Sequence, residues 1–157
     1  MKIAIACDHA GFPLKQTILE AVRFAGHEPV DLGTDGTEPV DYPDYADKLG
    51  RLLQAGEVHR GILLCGSGVG ASIAANKLRG VYAGVCHDTY SAHQGVEHDD
   101  MNVLCLGARV IGPELAAEIV AAFLAARYIG NDAGQSRHAR RVGKIRQLEK
   151  TTRNLEK

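Results

Sequence analysis

Gly61-Ile62-Leu63-Leu64-Cys65-Gly66-Ser67-Gly68-Val69-Gly70 is the part of the sequence from which the architecture follows. Its first five residues form a short run that is apolar on both faces, which is typical of a buried strand in a parallel sheet. The next five are rich in glycine and lead into a helix predicted over Val69–Leu78. A strand that passes through a tight turn into a helix is the repeating unit of α/β proteins.

The rest of the chain repeats this unit. Short apolar runs predict four further strands, over Lys2–Cys7, Glu28–Asp31, Val81–Cys86 and Val103–Leu106. Longer amphipathic stretches between them predict helices over Phe12–Ala25, Pro43–Ala55, Thr89–Val96 and Pro113–Ala126. The alternation predicts an α/β fold, a three-layer α/β/α arrangement around a five-stranded parallel sheet. We expect a single domain over residues 1–157, with an extra basic helix at about 136–157 that packs on a partner subunit.

The composition is that of an ordinary globular protein. Of 157 residues, 45% are hydrophobic and 24% are charged, and the net charge is −1. A nucleic-acid-binding domain would be more basic, and no apolar run is long enough for a membrane span. Four cysteines without a secretory signal predict a reducing, cytoplasmic location.

Polar residues follow three of the predicted strands where those strands end. They are Asp8-His9, Gly66–Gly70 and His87-Asp88. Ligands of open parallel sheets bind beyond the carboxyl ends of the strands, so these segments predict a site there. The backbone N–H groups of Gly66–Gly70 form a candidate anion cradle. Cys65 directly precedes it, where a helix N-terminus favours a thiolate that can act as base or nucleophile.

Two other interpretations are open at this point. The loop also fits the dinucleotide pattern G-x-G-x-x-A through Ala71, with Asp88 about 20 residues further on, although that pattern usually opens the first βα unit. Three groups of His and Asp, at 8–9, 87–88 and 98–100, carry metal-ligand chemistry. Adjacent residues on a strand diverge, and no His pair has i, i+4 spacing on a predicted helix, so we expect no metal.

The motifs together resemble ribose-5-phosphate isomerase type B and its galactose-6-phosphate isomerase relatives. The resemblance rests on Cys7–Phe12, Asp41-Tyr42-Pro43, Cys65–Gly70, Ile73–Lys77, Asn102-Val103-Leu104, Arg137-His138 and Arg141-Val142. It implies a Rossmann-like fold and an aldose–ketose isomerisation through an enediolate, without a metal or other cofactor. It also implies that Cys65 takes the C2 proton and returns it to C1. Another branch of the family uses a Glu where this chain has Ala71, so the chain resembles the cysteine branch.

The resemblance also implies a set of site residues. Ser67 with Gly66, Gly68 and Gly70 would hold the enediolate oxygen, and His98 would open the sugar ring. Asp8 and Tyr42 would hold sugar hydroxyls. The phosphate would be bound by His9, Arg109, Arg137, His138 and Arg141, the last three coming from the neighbouring subunit of a homodimer or dimer of dimers. Asp99 stands where the family usually has Asn, which bears on the sugar preference.

The leading reaction is the interconversion of ribose 5-phosphate and ribulose 5-phosphate. Allose 6-phosphate, galactose 6-phosphate or a tetrose phosphate are alternative substrates. A nucleotide-binding redox module that uses the G-x-G-x-x-A loop is the alternative from another class, and a metal-dependent hydrolase is the third candidate.

Overall fold

The computed structural model describes residues 1–152 and confirms the predicted α/β/α arrangement. The strands are β1 Lys2–Cys7, β2 Glu28–Asp31, β3 Arg60–Cys65, β4 Ala83–Val85 and β5 Val103–Gly107. The helices are α1 Phe12–Phe24, α2 Tyr42–Gln54, α3 Val69–Ala75, α4 Thr89–Asp99, α5 Pro113–Ala125 and α6 Ser136–Thr152. All five strands are parallel, in the order β2-β1-β3-β5-β4.

The core lies on both faces of the sheet because successive side chains of a strand point to opposite faces. Ile3, Ile5 and Leu64 belong to one apolar cluster, which α1, α4 and α5 complete. Ala4, Leu63 and Cys65 belong to the other, which α2 and α3 complete. Cys65 therefore has its sulfur on the α2 and α3 face.

Strand β4 covers only Ala83–Val85 of the predicted Val81–Cys86. It begins late because the Asn102 Oδ1, a side-chain atom, accepts the Tyr82 N–H at 2.8 Å. The Asn76 Oδ1 accepts the Ala83 N–H at 2.9 Å at the outer side of this last strand of the sheet. Asn76 directly follows α3, which ends at Ala75, three residues before the predicted end at Leu78.

Helix α4 is longer than predicted and includes His98 and Asp99. It continues past Val96 until Asp100, which adopts a left-handed conformation with φ of 57°. The Met101 N–H then bonds back to the Gly95 carbonyl at 3.1 Å, which closes the helix end. His98 and Asp99 consequently lie on the last turn of a helix.

The parallel arrangement gives the sheet two distinct edges. We call the edge where the strands end, at Cys7, Cys65 and Gly107, the carboxyl edge, and the edge where they begin the amino edge. A helix that connects two parallel strands must run back from one edge to the other. Helix α4 starts at the carboxyl edge with Thr89, and His98 lies nine residues on, about 14 Å away at 1.5 Å per residue.

The C-terminal helix packs on α4 of its own chain through a face that includes Val142. The predicted helix extended to Lys157, and residues 153–157 lie outside the described part of the chain. Within residues 1–152 none of the helices combines the length and apolar character needed to cross a bilayer.

The packing predicts a large stability difference between two phenylalanines. Phe123 is fully buried and carries the Arg60 guanidinium 5.2 Å from its ring centroid, whereas Phe24 is 96% exposed. Phe123→Ala should lower the free energy of unfolding by about 3–5 kcal/mol, because it leaves a cavity. The matched Phe24→Ala should change it by less than about 0.5 kcal/mol. Urea unfolding at one protein concentration measures both, and equal losses would contradict the described core.

Candidate active site

Cys65 is the last residue of β3, and its sulfur is held by the turn that follows. The Gly68 N–H donates to the Cys65 Sγ at 3.1 Å. Gly68 has a φ of 83°, a conformation that favours glycine, and this turns its N–H back toward the strand end. The turn packs tightly on β5, since a Cβ added at Gly107 would lie 2.7 Å from the Ser67 carbonyl carbon. One N–H of the predicted anion cradle is therefore committed to the sulfur.

The other three cysteines lie in environments that keep them as thiols. Burial raises the pKa of Cys7 and of Cys86 to about 11, and burial also raises that of Cys105. Cys105 has no exposed surface. All three are buried and act as small apolar side chains of the core.

Asp8 and His9 follow β1 at the same edge as Cys65. The Asp8 carboxylate is buried and accepts the Gly11 N–H at 2.8 Å, at the start of α1. The His9 Nδ1 accepts the Val40 N–H at 3.2 Å, so His9 is tied to the long loop before α2. That loop is also anchored by Lys15, whose Nζ donates to the Thr34 carbonyl at 2.8 Å.

Tyr42 and Arg109 approach the glycine turn from two sides. A Cβ added at Gly70 would lie 2.7 Å from the Tyr42 Cζ, so the phenol ring lies directly over the start of α3. A Cβ added at Gly66 would lie 3.5 Å from an Arg109 guanidinium nitrogen. The Arg109 N–H donates to the Gly66 carbonyl at 3.0 Å. The side chains of Tyr42, Arg109 and Ser67 are exposed at this edge.

The structure thus brings nine of the predicted site residues together. We call them the thiol half-site: Asp8, His9, Tyr42, Cys65, Gly66, Ser67, Gly68, Gly70 and Arg109. They come from the ends of β1 and β3, the start of α2, the turn into α3 and the end of β5. The sequence predicted a site at the ends of β1, β3 and β4. The first two strand ends contribute to the half-site, but the third contribution comes from β5 and not from β4.

The remaining predicted residues lie elsewhere, at the amino edge. We call them the histidine half-site: His98, Asp99, Arg137, His138 and Arg141. The His98 and His138 rings stack with centroids 4.0 Å apart and an angle of 24° between their planes. The length of α4 separates His98 from the carboxyl edge of its own chain. The resemblance implied a neighbouring subunit only for Arg137, His138 and Arg141, and the structure groups His98 and Asp99 with these three residues.

His138 differs from its two arginine neighbours. Its ring is buried, and within residues 1–152 neither ring nitrogen has a hydrogen-bond partner. Burial lowers the pKa of His138, and the nearby His98, Arg137 and Arg141 lower it further, while Asp99 acts in the opposite direction. Arg137 and Arg141 are exposed and lie one turn apart. His138 therefore faces its own chain, while the two guanidinium groups face outward.

Asp88 and His87, the candidate ligands of a nucleotide or a metal, accept backbone N–H groups of this chain. Asp88 caps α4, its carboxylate accepting the Ser91 N–H at 2.7 Å. It follows β4, which is separated from the β3 turn by β5, whereas a dinucleotide site needs its acidic residue on a neighbouring strand. The His87 Nε2 accepts the Gly107 N–H at 2.9 Å and so joins the ends of β4 and β5. His98 lies at the opposite edge from both.

Two further residues bond to groups beside the half-sites. His87, which the sequence offers only as a metal ligand, bonds the Gly107 N–H at the end of β5, and Gln94 lies next to His98. The Gln94 Nε2 lies 2.9 Å from the His98 Nδ1. The i, i+4 spacing of Gln94 and His98 is the signal that could have found this pair, once α4 was extended to include His98.

The fold and the thiol half-site define a class of protein. It is a Rossmann-like α/β protein with a cysteine at the end of a strand, directly before a glycine-rich turn into a helix. Comparison with known proteins narrows the class to one family. The chain belongs to the ribose/galactose isomerase family, whose model matches residues 3–145.

Relatives in this family are similar over nearly the whole chain. The ribose-5-phosphate isomerase B of Escherichia coli is 48% identical over 148 residues, which cover 94% of this chain and 96% of that protein. A D-erythrulose-4-phosphate isomerase of Pectobacterium atrosepticum is 42% identical, covering 96% and 98%. The structure of the Clostridium thermocellum ribose-5-phosphate isomerase B superposes with a TM-score of 0.90 at 47% identity, covering 97% of this chain and 99% of that one.

The buried His138 predicts a loss of stability in mild acid. Because its pKa is lowered by folding, the unfolded chain binds a proton that the folded chain does not. The contribution is present above the unfolded pKa of about 6.5 and is lost as the pH falls below it. His138→Phe keeps an aromatic ring and removes the titration, so its melting temperature should fall less than that of the parent between about pH 7.5 and about pH 5.5.

His59→Asn is the control for this experiment, because His59 is exposed. It should retain the pH dependence of the parent. If His138→Phe loses as much stability in acid as the parent does, the buried imidazole is not the group responsible.

Proposed function

We propose that this protein interconverts ribose 5-phosphate and ribulose 5-phosphate, with Cys65 as the base that moves the proton. The observation that carries the proposal is the Cys65 sulfur, which receives an N–H from Gly68 at 3.1 Å in a chain 48% identical to a ribose-5-phosphate isomerase B. The turn therefore holds the sulfur at the start of α3, where backbone N–H groups have no partner within the helix. The thiolate is the form that accepts a proton.

The chemistry moves one proton between two carbons. The Cys65 thiolate takes the proton from C2 of the open-chain aldose, and the electron pair forms the C1–C2 double bond of an enediolate. The thiol then returns the proton to C1 while the hydroxyl proton of O2 passes to O1, so that C2 carries the carbonyl group and C1 carries the hydroxyl group. Charge develops on the oxygen during the first step, so donors aimed at that oxygen lower the barrier. The candidate donors are the Ser67 hydroxyl and the N–H groups of Gly70 and Ala71, which follow Cys65 in the turn and the first turn of α3. The Val69 N–H is already used, since it donates to the Ser67 Oγ at 3.3 Å.

The rest of the thiol half-site is suited to a polar, anionic substrate. Tyr42 offers an exposed phenol over the turn, and Asp8 offers a carboxylate close to Cys65 in the sheet. Arg109 provides a guanidinium group at the same edge. His9 is held by the Val40 N–H through its Nδ1, which leaves its Nε2 for the substrate.

The proposal includes a partner subunit, because the two half-sites lie at opposite edges of one chain. In a two-fold dimer each subunit can contribute its thiol half-site to one active site and its histidine half-site to the other. The exposed Arg137 and Arg141 would then bind the phosphate held by the partner. Three exposed apolar side chains lie on or near the short edge strand β4 and offer a surface for that contact. They belong to Ile73, Val85 and Tyr90.

Asp99 bears on which sugar phosphate the protein uses. Its carboxylate is exposed on the last turn of α4 and, when ionised, can only accept hydrogen bonds. Since one relative is named for a tetrose phosphate, pentose, hexose and tetrose phosphates should be compared for aldose–ketose exchange by NMR. We expect ribose 5-phosphate to react best, in a cytoplasmic enzyme that keeps its activity after exhaustive chelation and does not bind NAD(H).

Replacing Cys65 should abolish isomerisation. Cys65→Ala removes the base, so turnover of ribose 5-phosphate should fall by at least a thousandfold, roughly 4 kcal/mol of transition-state stabilisation. In heavy water the parent should place deuterium at C1 or C2, and the variant should not. Cys7→Ala, Cys86→Ala and Cys105→Ser are controls, whose losses should follow stability. Activity of Cys65→Ala within tenfold of the parent would exclude this role.

Mixing two inactive variants should restore activity if the site is shared. Cys65→Ala disables the thiol half-site, and Arg137→Ala with Arg141→Ala disables the histidine half-site. Heterodimers of these chains contain one active site built entirely from intact parts, so about half of the parent activity per heterodimer is expected. The measurement is activity after subunit exchange confirmed by native mass spectrometry. Exchanged heterodimers without activity would show that the arginines serve the thiol half-site of their own chain.

A further inference from the structure

Gln94 and His98 form a side-chain pair on α4 that the proposed reaction has not yet used. They are one helical turn apart, and both are partly buried. The Gln94 Nε2 lies 2.9 Å from the His98 Nδ1, a hydrogen-bond distance. One face of the His98 ring is covered by the His138 ring, and the two ring centroids are 4.0 Å apart. The imidazole is therefore fixed both by a stack and by a hydrogen bond at one nitrogen.

The chemistry of the amide group decides which nitrogen of His98 carries the proton. An amide nitrogen is a donor and has no lone pair available to accept. The Gln94 Nε2 must therefore donate to the His98 Nδ1, which then carries no proton. Neutral His98 keeps its proton on Nε2, the nitrogen that Gln94 leaves free.

We propose that Gln94 is a positioning residue that sets the His98 tautomer and so presents an Nε2–H donor to the sugar ring. The inference rests on the proposed function, in which His98 acts in ring opening at the partner's thiol half-site. As the bond between C1 and the ring oxygen O4 breaks, the electron pair of the O1–H bond forms the C1 carbonyl double bond. The proton released from O1 passes to water. The O4 takes a proton from solvent, and the Nε2–H stabilises the charge that builds on it.

The stack places the His98 ring among the side chains that surround His138. These are Arg137 and Arg141 on α6 and Asp99 on α4. A neutral donor at this position polarises an oxygen without giving up its own proton, as neutral histidine does in other isomerases.

The tautomer can be measured without substrate. Nitrogen-15 NMR of histidine-labelled protein distinguishes Nδ1–H from Nε2–H, and the His98 signals are identified by their loss in His98→Asn. The parent should show His98 protonated on Nε2. Gln94→Glu places an acceptor at Nδ1, so the proton should move to Nδ1. Gln94→Met keeps the side-chain length and removes the donor, and His98 should then populate both tautomers. Gln16→Met is the matched control, because Gln16 makes an exposed i, i+4 bond to Glu20 on α1.

Kinetics can separate ring opening from proton transfer, because ribulose 5-phosphate cannot close a furanose ring. Its C5 hydroxyl carries the phosphate. Gln94→Glu should lower kcat/KM for ribose 5-phosphate at least tenfold and move the acidic limb of its pH profile to higher pH. Exchange of the C1 proton of ribulose 5-phosphate with heavy water needs no ring opening and should change less than threefold. Gln94→Met should show a smaller loss in the same direction, and Gln16→Met should show none.

Three results would overturn the inference. The first is a parent His98 that carries its proton on Nδ1. The second is a tautomer change in Gln94→Glu with unaltered turnover of ribose 5-phosphate. The third is an equal loss of ribose turnover and C1 exchange, which would mean a general structural role. A parent that has the predicted tautomer but does not isomerise ribose 5-phosphate would refute the proposed function and leave the tautomer assignment standing.

Discussion

The direction of the helices relative to the sheet is the constraint on which the rest of this structure depends. Because every strand is parallel, each connecting helix must return its chain to the amino edge before the next strand can begin. Helix α4 therefore carries His98 about 14 Å away from the edge where Cys65 lies. A chain of this topology cannot place both groups around one small sugar by itself. The separation of the two half-sites within one chain is thus a property of the fold, and it is the reason that the proposed function includes a second subunit.

Close packing of glycines gives the thiol half-site its shape. Gly68 bends the chain so that its N–H meets the sulfur, Gly107 lets the turn lie against β5, and Gly70 leaves room for the Tyr42 ring. A side chain at any of these positions would push apart groups that must converge within a few ångströms. The three glycines consequently link the local conformation of the turn to the arrangement of the chemical groups.

The sequence predicts the buried parts of this protein better than its contacts at the amino edge. Strand β1 was predicted to the residue, because a buried apolar run bounded by turns determines it. The bounds of β2 were also predicted correctly, although Glu28 and Asp31 at its ends are exposed. The predicted end of α4 at Val96 was wrong, since the helix ends only where Asp100 adopts a left-handed conformation. The Gln94 contact within α4 and the stack of His98 on His138 both depend on this extra turn. They join polar side chains, and hydrophobic periodicity carries no signal for such contacts.

The protonated state of the buried thiols has a consequence for oxidative damage. Peroxide and related oxidants attack thiolates, and Cys7, Cys86 and Cys105 are held as thiols by their raised pKa values. These three cysteines are therefore poor targets for oxidation. Burial does not distinguish Cys65 from them, since its side chain is 5% exposed, as is that of Cys86. The Cys65 sulfur differs because it receives the Gly68 N–H at the carboxyl edge. If Cys65 is the base, as we propose, oxidation of its sulfur to a sulfenic acid would stop turnover while the other three cysteines stay reduced, and a thiol reductant would restore it.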